Sequence, residues 1–345
     1  MSGQLWSVDA QGGYMYADEL SDVLRLAVLP TARFRQFCDA KDFTDKGLHR
    51  GQTASWDVYS QVATNGGTLL ETQEMPETGF TVSQKSLTIT EYANSVPYTG
   101  KLDNLSKHPV LEIINKVLKI DCGRVLDAAA WAQFNATKLK AQPTSGSSTT
   151  AITVVTTGDV ASTTTVAMNT DHVRALVDEM KERNIPSYMG DDYFCISRPK
   201  ALTLLKNELE AIHQYTEEGF RRIQYGEVGR YYNVRFVEQT SIAQGGAEDS
   251  TTYNWYTADA WNGSTGSGAI GTGGGTTDWA FFFGEDTVAE CVVIPEEIRG
   301  KIPTDYGRSR GVSWYYLGGF GLVHGSTTTA SDVLNARVLK WDSNA

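Results

Sequence analysis

Residues 307–325 read GRSRGVSWYYLGGFGLVHG, and the first five match the G-x-S-x-G pattern that carries the nucleophilic serine of many hydrolases. A nucleophile elbow needs a strand before the serine and a helix after it, because the strained turn between them exposes the hydroxyl. Ser309 has neither. Upstream, KIPTDY contains Pro303, which cannot donate to a strand ladder, and downstream VSWYYLGGFGLV is apolar, aromatic and strand-like. The acid and base also come in the wrong order: His324 precedes Asp332, the reverse of the Ser, Asp, His order of α/β-hydrolases. The stretch therefore predicts a turn at GRSRG, with Gly307 and Gly311 permitting unusual backbone angles, followed by a strand. In that strand Gly318, Gly319 and Gly321 would let another backbone approach closely.

Working outward, HPVLEIINKVLKIDCGRVLDAAAWAQFNAT (108–137) has no internal proline and opens with Pro109, favoured in a first helical turn. Val110, Ile113, Ile114, Val117 and Leu118 form one apolar stripe, continued by Val125, Leu126, Ala129 and Trp131, so a long helix is predicted over 109–140. Gly123 is a tolerated weak point in it. Before this helix, TASWDVYSQV places Trp56, Val58 and Val62 at two- and four-residue spacing. FTVSQKSLTITEY does the same with Phe80 and Val82, and with Leu87 and Ile89. The intervening NGGTLLETQEMPETG favours turns, so 51–100 reads as a long hairpin-like projection with little core of its own. An amphipathic helix is expected from Tyr16 to Pro30.

After the long helix, 143–165 is a Ser- and Thr-rich excursion with one strand around AITVV. TDHVRALVDEMKERN is then a helix with Val173, Leu176, Val177 and Met180 inward and Thr170 or Asp171 as its cap. YFCIS is a buried strand, PKALTLLKNELEAIHQY a helix with Leu202, Leu205, Leu209 and Ile212 inward, and VRFVEQ another strand. The alternation predicts an α/β lobe over 169–283, interrupted by a Gly-rich insertion at 245–277. Within that insertion Gly266, Gly268 and Gly271 match G-x-G-x-x-G, but TGGGTTDW follows in place of a helix, so nucleotide binding is not expected.

The 345 residues carry 30 Lys and Arg against 41 Asp and Glu, a formal charge of −11 that disfavours adhesion to phosphate backbones or anionic lipid. No apolar run approaches the roughly 20 residues that span a bilayer, and MSGQLWSVDAQGG lacks the features of a signal peptide, so synthesis and retention in the cytoplasm are expected. Cys38, Cys122, Cys195 and Cys291 form no C-x-x-C pair and read as reduced and mostly buried. The five histidines are equally scattered, so no metal and no cofactor is expected.

The order of an arm, a two-stranded loop, a beam-like helix, an α/β lobe and returning strands resembles the major capsid protein of tailed bacteriophages, an α+β shell fold of the Hong Kong 97 type. More narrowly, YTGKLDNLSKHPVLE (98–112) and IPTDYGRSRGVSWYYLGGFGLV (302–323) look like the N4-like major capsid family. The resemblance implies an N-terminal arm over 1–50, an extended loop over 51–100 that overlies a neighbour, and a peripheral domain over 101–168 with a spine helix at 109–140. It further implies an axial domain over 169–283 and return strands to the peripheral domain over 284–345. It makes Trp56, Val58, Arg308 and Arg310 candidate contacts between subunits, the arginines pairing with acids of a neighbour.

The implied product is an icosahedral shell of pentamers and hexamers around double-stranded DNA, in a virion assembled with a scaffolding protein, a portal and a decoration protein. It is bound to no membrane and has no enzymatic activity. The rival readings are an encapsulin-like compartment and a cytoplasmic α/β enzyme.

Overall fold

The computed structural model describes residues 33–42, 53–59, 66–72, 74–80, 82–106, 108–144, 148–159, 166–197, 199, 201–213, 229–239, 279–303 and 305–343. The helix expected over 16–30 and the insertion at 245–277 lie outside these residues. Thirteen strands are described: β1 (Asp39–Asp42), β2 (Thr53–Tyr59), β3 (Val82–Thr88), β4 (Thr90–Thr99), β5 (Lys140–Pro143), β6 (Ile152–Val155), β7 (Tyr193–Ser197), β8 (Arg230–Tyr231), β9 (Val234–Glu238), β10 (Ala280–Phe283), β11 (Val288–Gly300), β12 (Ser309–Leu322) and β13 (Val338–Trp341). The described α-helices are α1 (Gly100–Leu105), α2 (Val110–Asn135), α3 (Thr170–Glu182), α4 (Thr203–His213) and α5 (Ala330–Leu334).

A seven-stranded mixed sheet in the order β6-β5-β13-β10-β7-β9-β8 forms the larger lobe. Its central strand β10 reads AFFF and is buried along its whole length because both faces of the sheet are covered. Phe281 and Phe283 pack on the α2 side with Phe34 and Phe134. Ala280 and Phe282 face the other side, against Val173, Leu176 and Met180 of α3 and Leu205 of α4. Burying a phenylalanine contributes roughly 1.5–3 kcal/mol, so this short strand anchors the lobe. Asn169, not Thr170 or Asp171, caps α3: its side chain accepts from His172 N at 2.9 Å, and His172 Nδ1 accepts from Asn169 N–H at 3.4 Å. That reciprocal box needs an accepting side chain three residues after the cap, which His172 supplies through Nδ1 in place of the usual Glu or Gln.

The lobe is not confined to residues 169–283. β5, β6 and β13 also pair into its sheet, with β13 between β5 and β10. The segment 284–345 is therefore divided between two sheets.

A second sheet, β1-β11-β12-β4, is four-stranded, with β1 parallel to β11 and the others antiparallel. The register of β11 slips on either side of Ile294, next to Pro295, which cannot donate to the ladder. Beyond this bend, Glu296–Gly300 lies exposed in a protruding ribbon with the first residues of β12.

The helix expected over 109–140 ends at Asn135, and Lys140 already belongs to β5. At about 1.5 Å per residue α2 is roughly 39 Å long. Its buried residues Val110, Ile114, Leu118, Cys122, Leu126, Ala130 and Phe134 recur every four positions. Each step of four turns about 40° beyond a full circle, so the buried face rotates along the helix. Near its middle α2 is tied to the smaller sheet, where Asp121 accepts from Trp314 Nε1 at 2.9 Å and from Asn94 Nδ2 at 2.8 Å. Its last turn packs beneath Phe34 and Phe283 of the lobe. This rotation explains why Val117, expected in the stripe, is exposed, and Ile113 only half-buried.

The projection is shorter than expected. β2 and β3 pair as a two-stranded antiparallel hairpin, but β4 belongs to the four-stranded sheet, paired with β12 from Thr90–Gly318 to Thr99–Ser309. Its polar sequence TEYANSVPYT disguised this: seven of its ten residues are exposed, and β12 supplies the apolar surface.

Candidate functional site

Ser309 opens strand β12 and lies opposite Thr99 of β4. Its hydroxyl accepts from Lys301 Nζ at 2.8 Å. His324 lies past the far end of the same strand, roughly 45 Å away at about 3.3 Å per residue. There its ring faces Asp286 at 3.7 Å, and Arg337 reaches the same carboxylate at 3.1 Å. The His324 hydrogen bond, opposed by burial and aided by Arg337, holds Asp286 below the usual carboxylate range. Ser309 and His324 thus stand at opposite ends of β12, and Ser309 opens a strand where an elbow would need a helix to follow. The turn itself is displaced: positive φ falls at Asp305, Tyr306 and Gly307, whereas Gly311 is an ordinary strand residue. The turn had to precede Ser309 because β12 begins pairing with β4 there.

The expected close approach along β12 is present and has a definite occupant. A Cβ on Gly319 would lie 2.5 Å from Thr88 O and 2.7 Å from Leu87 Cδ1, and one on Gly321 would lie 2.9 Å from Leu87 Cβ and 3.2 Å from Trp56. The root of the hairpin thus rests in a groove that only glycine leaves open. Ala54 and Leu87 are buried there with Ala289, Cys291, Val293 and Val323. An ion pair secures the same root: Lys85 Nζ lies 2.7 Å from Asp332 Oδ1. Asp332 also accepts from Thr327 N and Oγ1, each at 2.8 Å. Burial would raise the Asp332 carboxyl, but Lys85 and these donors hold it below its usual range.

Beyond the root, no described residue of the connecting stretch is buried. The connecting residues 66–72 and 74–80 are all exposed and include Leu69, Leu70, Met75 and Phe80, with Leu70 and Met75 about three-quarters open. Glu71, Glu74 and Glu77 give this stretch its charge. A second exposed apolar surface lies at the tip of the β11–β12 ribbon, where Ile298, Ile302 and Tyr306 face solvent.

The four candidate contact residues separate into two places. Trp56 and Val58 line a cleft of about 680 Å³ at the hairpin root, walled also by Lys41, Arg183, Ile185, Leu334 and Arg337. Arg308 and Arg310 lie on the ribbon. Arg310 Nη1 is 2.9 Å from Asp103 of α1 in the same chain, and Arg308 is 3.9 Å from Asp305. For Arg310, then, an acid is already supplied within the subunit.

Sequence reasoning missed a buried cluster at the start of the described chain. Arg35 bonds Glu290 through Nε at 3.0 Å and Nη2 at 2.7 Å and also pairs with Glu296, while Tyr316 donates to Glu290 at 2.9 Å. Burial opposes the Arg35 charge, but the Glu290 and Glu296 bonds outweigh it and raise its pKa. Nothing local announces a partnership across 255 residues.

The four cysteines are free. Burial pushes Cys122 and Cys291 up to about 11, so both are thiols at neutral pH. Among the described residues no group of three or more His, Cys, Asp or Glu could hold a metal ion, and no helix is long and apolar enough to cross a membrane.

Several solved phage capsids share this arrangement. The capsid of cyanophage P-SCSP1u matches at a TM-score of 0.65 and 10% identity, covering 95% of this chain and 92% of that one. The head of Helicobacter pylori bacteriophage KHP40 matches at 0.65 and 12%, covering 96% of each, and the capsid of Ralstonia phage GP4 at 0.63 and 14%, covering 100% and 98%. The fold is therefore the α+β capsid fold of the Hong Kong 97 type. Comparison with curated proteins found no match. The family model described as phage capsid protein matches residues 83–328, well over half of the chain, and the protein belongs to that family. It is a phage capsid shell protein, and its place is the virion.

Proposed function

We propose that this chain is the major subunit of an icosahedral shell of pentamers and hexamers that encloses the double-stranded DNA of a tailed phage, without enzymatic activity. The observation that carries the reading is the hairpin: its root is built into the subunit, while its apolar, exposed connecting stretch is stable only against another molecule. In this reading residues 1–50 are an N-terminal arm, and 51–88 the extended loop, shortened from 51–100 because β4 belongs to the subunit body. Helix α2 is the spine of a peripheral domain built on the four-stranded sheet. The seven-stranded sheet with α3 and α4 is the axial domain, and 284–345 returns through both. The N4-like affinity rests on residues 98–112 and 302–323.

A scaffolding protein, a portal and a decoration protein are the expected partners, and the net charge of −11 suits a wall that does not cling to packed DNA. Synthesis is in the host cytoplasm. Covalent linkage between subunits is not part of the assembly, since the hairpin's Lys85 is engaged by Asp332 of its own chain. Denaturing gels of purified particles should show monomers, and a ladder that survives reductant would contradict this.

Negative-stain microscopy of the purified protein tests the main reading. Closed particles are expected. A discrete small oligomer with a substrate in an enclosed pocket would overturn it in favour of an enzyme, and closed particles filled with co-purifying protein cargo would favour a cellular compartment.

A further inference from the structure

We infer that Lys340 and Asn135 join in an isopeptide bond inside the subunit, a covalent tie between strand β13 of the larger sheet and the last residue of α2. The bond forms in the folded chain itself, whether or not a shell is assembled.

Lys340 is fully buried, and its Nζ lies 2.8 Å from Asn135 Oδ1 and 3.4 Å from the centroid of the Trp279 ring. The side-chain carbonyl carbon of Asn135 is one bond, about 1.2 Å, beyond that oxygen, which puts the amine within about 4 Å of the atom it would attack. A near-attack separation is about 3–3.5 Å, and a small rotation of the long lysine side chain supplies the difference. The third group is Asp342, also buried and two residues on, hence on the same face of the chain as Lys340. Asp342 Oδ1 accepts from Trp279 Nε1 at 3.0 Å, so amine and carboxylate meet at one indole. Trp131 stacks on that indole, 6.4 Å between ring centroids.

The reaction balances without a co-reactant. The neutral amine is the nucleophile, and Asp342 is the group placed to carry its proton. Nζ bonds to Asn135 Cγ, and the Cγ–Nδ2 bond breaks as the tetrahedral intermediate collapses. The proton that Nζ gives up passes through Asp342 to the departing nitrogen, which leaves as ammonia. Nothing is oxidised or reduced. Asn135 is only half-buried, which gives the ammonia a way out. A lysine and an aspartate sunk among tryptophans add little to stability, since well-packed apolar residues would hold the same core as well. Amide formation removes the buried cation. The tie spans 205 residues of sequence, and such a cross-link restricts the unfolded chain as a disulfide does. It lies within one chain, so denatured particles still run as monomers.

Mass spectrometry of the purified, denatured full-length chain tests the bond. The intact mass should fall short by one ammonia. Trypsin should release residues 125–138 joined to 338–345 as one branched peptide, uncut at Lys340. Lys340→Met, close to lysine in volume, should restore the missing mass, and Asp342→Asn should leave the two peptides separate. Absence of the branched peptide from the unaltered chain, or an ammonia deficit that persists in Lys340→Met, would overturn the inference. A bond that forms equally in Asp342→Asn would overturn the part given to Asp342. The peptide map of the unaltered chain decides by itself should either variant fail to fold.

Discussion

Strand β10 and the hairpin β2–β3 are both rich in apolar side chains, yet one is the most buried part of the molecule and the other nearly the most exposed. Ala280–Phe283 has helices over one face of its sheet and α2 with Phe34 over the other. The hairpin has a single seat, the glycine groove of β12, and only Ala54 and Leu87 are fully taken up by it. The difference shows that apolar content does not decide burial here. What decides it is whether the chain folds a second layer over the segment. Where the chain supplies that layer the energy goes into the subunit, and where it does not, the surface stays exposed.

The largest effect that would sharpen this contrast is at β10. Phe282→Ala should cost the subunit about 3–5 kcal/mol by opening a cavity between the sheet and α3. The matching change at the hairpin, Phe80→Ala, should leave the free subunit's melting temperature within the error of the measurement. Thermal melting of both variants checks the pair, and a comparable loss at Phe80 would break the comparison.

Next comes the seat. Gly319→Val should cost about 1–3 kcal/mol by overpacking, because its Cβ would collide with Thr88 O and Leu87. Hydrogen exchange should then rise across residues 83–88 while β10 stays protected. In the unaltered free subunit these root residues should be protected and 66–80 should exchange freely, becoming slow only in assembled particles.

Of the same order is the ion pair. Lys85→Met should cost about 1–3 kcal/mol by leaving a buried carboxylate short of a partner, although Thr327 still serves Asp332. This contribution depends on pH in a defined sense. Asp332 titrates lower in the folded state than the usual carboxylate, so its stabilisation is complete above the unfolded value near 3.9. It is lost as pH falls below that through the folded value. Acid melting curves of the wild type and Lys85→Met should therefore converge as pH drops, and curves that stay parallel would argue against the pair.

The smallest effects lie on the ribbon. Arg310→Ala removes a half-exposed pair with Asp103 and should cost the free subunit about 0.2–1 kcal/mol. Ser309→Ala, losing only the bond from Lys301, should be within about 0.5 kcal/mol. Particle assembly is the second readout. A drop with Arg308→Ala and Arg310→Ala together, but not with Ser309→Ala, would place a subunit contact on the ribbon.

Much of this fold was legible before any coordinates because periodicity is a local property. The apolar stripe from Val110 to Leu118, continued from Val125 to Trp131, marked a long helix, and Val173, Leu176, Val177 and Met180 marked the buried face of α3. The aromatic, glycine-punctuated stretch after Ser309 read as a strand where a nucleophile elbow needs a helix, and β12 is that strand. Trp56 and Val58 were read from alternation and do lie together, in the cleft. The end of the projection was misread because the pairing of β4 is set by β12, more than 200 residues away.

By itself the sequence determined the helices and strands, the glycine run that must admit a close neighbour, and the absence of a nucleophile elbow, since each is written in adjacent residues. Only the tertiary structure decided that β13 completes the larger sheet, that Leu87 and Trp56 occupy the glycine groove, and that Lys85 finds Asp332 and Arg35 finds Glu290. Those are meetings of residues remote in the chain, and their energy depends on distances that exist only after folding.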